Sequence, residues 1–123
     1  MMHMSDHLAS AAIFSGGTPT EMGEFYQQPS WRIPVLATHG GPSDEVVLRF
    51  DLATEDMASR LAEDGHLIVV CAHNEGHVIP WDIPSLIMPF LLSHSWGQAD
   101  KTYLEENLDD TWPEECSVRS LVD

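Results

Sequence analysis

Basic side chains are scarce in this sequence, which has five Lys and Arg against 20 Asp and Glu and a formal net charge of −15 at pH 7. Such a charge repels phosphate backbones and anionic lipid headgroups, so neither nucleic acid nor a membrane is an expected partner. Long apolar runs are also lacking, since the richest stretch, 83–92, is interrupted by two prolines. The N-terminus has neither the basic start nor the apolar run of a signal peptide, so the sequence assigns no compartment.

Cysteine is nearly absent as well, with only Cys71 and Cys116. Two such residues form neither a C-x-x-C zinc or redox motif nor a disulfide-rich scaffold. A disulfide between them is possible in a secreted parent protein, but we expect two unpaired thiols, with Cys71 buried. Apolar residues make up 43% of the chain and charged residues 20%. This composition is ordinary for a globular protein and predicts one small folded domain.

The apolar pattern predicts an α/β fold with a small, mostly parallel sheet of about three strands and helices packed on it. Five segments carry the pattern. They are 8–14 (a strand or a helix end), 33–38 (a strand), 51–63 (a helix), 67–71 (a strand) and 86–92 (a helix). The second and fourth are continuously apolar, as is typical of strands buried on both faces. The first runs into Ser15-Gly16-Gly17, which indicates a turn. Residues 98–123 concentrate acidic side chains and are expected to form a peripheral tail.

Titratable side chains follow both strands of the central βαβ unit. Asp44 lies in the loop after 33–38, and His77 lies in the loop after 67–71. Because the carboxyl ends of parallel strands meet at one edge of a sheet, these loops should bring the two side chains together. A carboxylate beside an imidazole is the arrangement that a catalytic base and its orienting acid require.

At these residues the sequence resembles the C-terminal part of the α/β-hydrolase family. Residues 33–44 resemble the strand and loop that carry the acid, 76–80 the histidine loop and 89–92 the terminal helix, so that the match spans 5–96. It is most similar to polyhydroxybutyrate depolymerase-like and feruloyl esterase-like enzymes, in which Ser-Gly-Gly often precedes the acid strand. The resemblance implies that Asp44 is the triad acid and His77 the base, that the intact parent acts on an ester without a cofactor, and that it is often secreted.

The nucleophile of that family is missing from the sequence. No G-x-S-x-G motif occurs in the sequence. The segment most similar to it is 41–45, but its serine, Ser43, lies in the acid loop. The resemblance therefore implies that 1–97 is a C-terminal hydrolase segment, inactive alone, with 98–123 as its acidic tail. The alternative is a non-catalytic interaction or assembly module derived from a hydrolase fold. In either case an open sheet edge predicts a homo-oligomer or a partner chain that covers it.

Other interpretations of the site residues are simpler. Asp44 on its own could be a turn former. His73 and His77 have the i, i+4 spacing of a zinc pair, but Asn74 and Gly76 between them favour a loop over the helix that such a pair needs, so no metal is expected. Trp81, four residues after His77, is a weak candidate for a substrate-binding wall.

Overall fold

A computed structural model describes residues 2–18, 26–80, 82–97, 108 and 111–119 of the chain. Its regular elements are four strands and two α-helices, preceded by a 3₁₀ helix over Met2–His7. The strands are β1 (Ala11–Phe14), β2 (Val35–His39), β3 (Ile68–Ala72) and β4 (Cys116–Arg119). The helices are α1 (Phe50–Glu63) and α2 (Ile83–Leu92). Within the described ranges no helix is long and apolar enough to cross a membrane.

The strands form one mixed sheet in the order β1-β2-β3-β4. β2 runs parallel to both β1 and β3, whereas β4 runs antiparallel to β3. The expected α/β arrangement is therefore confirmed, but the expected count of about three strands is wrong. The acidic C-terminal segment supplies the fourth strand. The sequence of this strand, Cys-Ser-Val-Arg, is short and has no apolar run, so its pattern does not predict a strand.

Both faces of the central strands are buried, because successive side chains of a strand point to opposite sides of the sheet. Val35 and Ala37 pack on the side of α1, with Met57 and Leu61 from that helix. Leu36 points the other way, into a second cluster whose helical members come from α2. This two-sided burial explains the apolar sequence of β3 and of the first three residues of β2, and it fixes the edge at which the following loops emerge.

The two cysteines are joined, contrary to the expectation of free thiols. Cys71 of β3 pairs with Cys116 of β4 in the antiparallel register, and their sulfurs form a disulfide. The sequence separation of 45 residues hides this proximity, which arises only when β4 joins the sheet. The cross-link ties the C-terminal segment to the central βαβ unit.

Candidate acid–histidine site

Asp44 lies in a short turn that begins where β2 ends. The chain passes from His39 through a 3₁₀ turn over Gly41–Ser43, with Gly41 at a φ of 72°. The Asp44 amide donates to the Gly41 carbonyl at 2.9 Å, and the Asp44 carbonyl accepts from the Phe50 amide at 2.9 Å. Asp44 is fully buried as a result.

Three donors surround the Asp44 carboxylate. Oδ2 accepts from the Ser15 hydroxyl and from the Gly40 amide, each at 2.8 Å. Oδ1 lies 2.8 Å from Nδ1 of His77. Burial raises the pKa of Asp44, but the hydrogen bonds from Gly40, His77 and Ser15 outweigh it, so the pKa lies below its ordinary value of 3.8. The carboxylate is therefore ionised at neutral pH.

His77 is held opposite Asp44 by direct contact between the two loop backbones. The Gly76 amide donates to the Gly40 carbonyl at 3.0 Å. A Cβ atom on Gly40 would lie 1.8 Å from the Gly76 carbonyl oxygen, so only glycine permits this approach. The Phe50 ring stacks on the imidazole with a centroid separation of 5.0 Å. The His77 side chain nevertheless stays 46% exposed.

The charge of Asp44 determines which imidazole nitrogen carries a proton. An ionised carboxylate can only accept hydrogen bonds, so Nδ1 of His77 must donate to it. In the neutral imidazole Nε2, at the far edge of the ring, then has a free lone pair. His77 is thus arranged as a base that can take a proton from a group approaching the exposed side of the ring.

The structure brings together the two residues that the sequence singles out, Asp44 and His77. Trp81 lies outside the described residues. His73 does not join His77: it is buried, and its Nδ1 accepts from the Glu75 amide at 3.2 Å. Burial lowers the pKa of His73. In the described part of the chain no three His, Cys, Asp or Glu side chains converge as metal ligands would.

Two contacts at the site were not predicted, the hydrogen bond from Ser15 and the stacking of Phe50. The Ser-Gly-Gly sequence predicts a turn, and the turn is present, but the Ser15 hydroxyl also reaches the acid. One signal in the sequence could have suggested this contact. Ser15 follows a strand parallel to β2, so it emerges at the same sheet edge as Asp44.

Comparison with known proteins adds no assignment: no family model, no curated protein and no solved structure matches the chain. Function is therefore inferred from the geometry around Asp44 and His77. That geometry is a buried, ionised carboxylate in contact with Nδ1 of a half-exposed histidine. This pairing occurs in hydrolytic sites on several unrelated folds, so it indicates a chemistry more directly than a family.

Proposed function

We propose that Asp44 and His77 are the acid and base of a serine ester hydrolase site whose nucleophile lies on polypeptide outside these 123 residues. The observation that carries the proposal is the 2.8 Å contact between the buried Asp44 carboxylate and Nδ1 of half-exposed His77. In this arrangement Nε2 takes the proton from the serine hydroxyl as it attacks the ester carbonyl. Asp44 keeps the imidazole in the reactive tautomer and stabilises the imidazolium that forms.

The surface beside the pair supports this role. Val46 and Val47, just after the acid, are 64% and 77% exposed, and Val78 and Ile79, just after the histidine, are 51% and 57% exposed. Large exposed apolar side chains in the two loops that carry the pair favour contact with an apolar ligand or a covering polypeptide. Either would also exclude water from the reacting groups.

The chain alone should have little activity, because Ser15, whose hydroxyl contacts Asp44, is not arranged as a nucleophile. A nucleophilic serine donates its proton to the imidazole. Ser15 instead donates to Oδ2 of Asp44, whereas His77 contacts the other carboxylate oxygen, Oδ1. Without a nucleophile, an acid and a base retain almost none of the rate enhancement of a triad. We expect the purified chain to hydrolyse a short p-nitrophenyl ester no faster than its His77→Ala variant.

The decisive experiment recovers the tagged chain from its native cells with its bound polypeptides and treats the sample with a fluorophosphonate, which labels activated serines. The matched variant is His77→Ala, which removes the imidazole at a half-exposed position while Ser15 and Gly40 still bind the Asp44 carboxylate. The wild-type chain should recover a labelled polypeptide with ester hydrolase activity, and the variant should recover the same polypeptide unlabelled. Equal labelling with both chains, labelling of a serine in this chain, or no labelled polypeptide would each contradict the proposal.

A second candidate function, a non-catalytic assembly module, is favoured by the sheet edge. Among the described residues β1 pairs only with β2, which leaves the other edge of β1 open to a strand of a second copy or of a partner chain. Stable self-association in sedimentation experiments, with no fluorophosphonate labelling of any associated polypeptide, would favour this function over the first.

A further inference from the structure

We propose that Ser15 is a positioning residue for the Asp44–His77 pair, holding the carboxylate so that Oδ1 faces the imidazole. The inference rests on the proposed function and adds a third side chain to the site. The Ser15 hydroxyl reaches Asp44 Oδ2 at 2.8 Å from a turn 29 residues earlier in the sequence. Ser15 thus acts through Asp44 rather than on a substrate.

The backbone conformation of Ser15 supports a role for its side chain in the site. Its φ is 41°, in the left-handed region that favours glycine. Gly17, two residues later, has no room for a Cβ atom beside the α1 backbone, so this turn already contains glycine where space requires it. Ser15 instead occupies a strained position, and its side chain supplies one donor aimed at a buried charge.

The turn is fixed from two sides, so the hydroxyl is held in place. The Ser15 amide donates to the Thr38 carbonyl of β2 at 2.9 Å, and Thr54 of α1 donates through its hydroxyl to the Gly16 carbonyl. A Cβ atom on Gly17 would lie 2.1 Å from the Ala53 carbonyl oxygen, so the turn rests directly on the α1 backbone. The strand and the helix together determine where the Ser15 hydroxyl points.

The two donors on Oδ2 explain why the carboxylate has one orientation. The Gly40 amide and the Ser15 hydroxyl both bind Oδ2, which leaves Oδ1 for Nδ1 of His77. Without the hydroxyl, one amide would remain to hold that oxygen, and the buried charge would lose one of its three partners. Asp44 should then bind its proton more readily and orient His77 less strictly.

The test uses two variants of the full chain, Ser15→Ala and Ser15→Gly, which lose the same hydroxyl but differ in backbone strain. Carbon-13 NMR of the Asp44 carboxyl should show an upward shift of its pKa, equal in both variants, because the Ser15 hydrogen bond lowers that pKa in the wild type. Their stabilities should diverge, since glycine relieves the positive φ and alanine does not. Ser43→Ala, at an exposed serine next to Asp44, is the matched control and should leave the titration unchanged.

An Asp44 titration that is unchanged in both variants, or that changes in the alanine variant alone, would overturn the inference, because either result assigns Ser15 a backbone role only. The measurement is independent of catalysis. If no serine-bearing polypeptide is labelled but the titration shifts as expected, the proposed function fails while the role of Ser15 in orienting Asp44 stands. If the labelling succeeds and the titration does not shift, only the role of Ser15 fails.

Discussion

Replacing Asp44 by asparagine should change the chemistry of His77 more than the stability of the fold. Asparagine preserves the size of the side chain, and its carbonyl oxygen can still accept from Ser15 and Gly40 in place of Oδ2. Its amide nitrogen then faces Nδ1 of His77 and can only donate. The imidazole must therefore accept at Nδ1 and move its proton to Nε2, the tautomer that cannot take a proton from a serine.

The stability cost follows from the three hydrogen bonds to the buried carboxylate. The bonds from Ser15 and Gly40 each weaken by about 1 kcal/mol when the acceptor loses its charge, partly offset because no charge is buried, so Asp44→Asn should cost about 1–2 kcal/mol. Asp44→Ala leaves the donors of Ser15 and Gly40 without a partner inside the protein and should cost about 3–5 kcal/mol. Urea unfolding measures both costs, and nitrogen-15 NMR of His77 reports its tautomer.

Two results would refute this reasoning. If Asp44→Ala costs no more than Asp44→Asn, the carboxylate is not the partner that the buried donors need. If His77 keeps its proton on Nδ1 in the asparagine variant, Asp44 does not set the tautomer. A Glu45→Gln variant removes an exposed charge next to Asp44 and provides the control for a general electrostatic effect, with an expected cost within about 0.5 kcal/mol.

Three further predictions concern stability. Because folding lowers the pKa of Asp44, its contribution is complete above the ordinary value of 3.8 and is lost as pH falls through the folded-state pKa. Unfolding at a series of acidic pH values should thus show a weaker acid sensitivity for Asp44→Asn. Reducing the Cys71–Cys116 disulfide, which closes a span of 45 residues, should cost up to about 4 kcal/mol, and reductant should not affect a doubly Ala-substituted control. Gly40→Ala should cost more than about 2 kcal/mol by forcing the two loops apart. Gly97→Ala, where no described atom lies within 4 Å of the added Cβ and only the positive φ of 77° opposes it, should cost about 1 kcal/mol.

The central βαβ unit was predictable because each of its elements has a complete local signal. β3 is apolar throughout, β2 begins with three apolar residues, and α1 has apolar residues at helical spacing before Gly65. These elements put the loops of Asp44 and His77 at the same sheet edge by topology alone. The juxtaposition of the two residues, as distinct from their chemical role, therefore needs little beyond the sequence pattern.

The remaining features depend on contacts between distant residues. β4 is four residues long and pairs with β3, and the same pairing brings the two cysteines together. The contact of Ser15 with Asp44 requires a positive φ and a turn seated on α1, neither of which a Ser-Gly-Gly sequence specifies. Tertiary packing determines whether such contacts between distant residues form, and local sequence propensity does not encode them.

The edge of β1 that no described strand occupies allows the proposed partner to be detected at individual amides. The amides of Ala11 and Ser15 donate toward β2, to the Pro34 and Thr38 carbonyls. Because amides alternate along a strand, those of Ala12 and Phe14 point away from β2, where a strand of another polypeptide would pair. In the purified chain at low concentration, hydrogen exchange should therefore be fast at Ala12 and Phe14 and slow at Ser15.

In the complex recovered from native cells, the Ala12 and Phe14 amides should become protected, while Ser15 changes little. Such alternation distinguishes strand pairing from general burial, which would slow all the amides together. Protection that appears in the purified chain as its concentration rises would assign the edge to a second copy of the chain. If Ala12 and Phe14 are already as protected as Ser15 in the dilute chain, the edge is covered from within, and no partner strand joins the sheet next to β1.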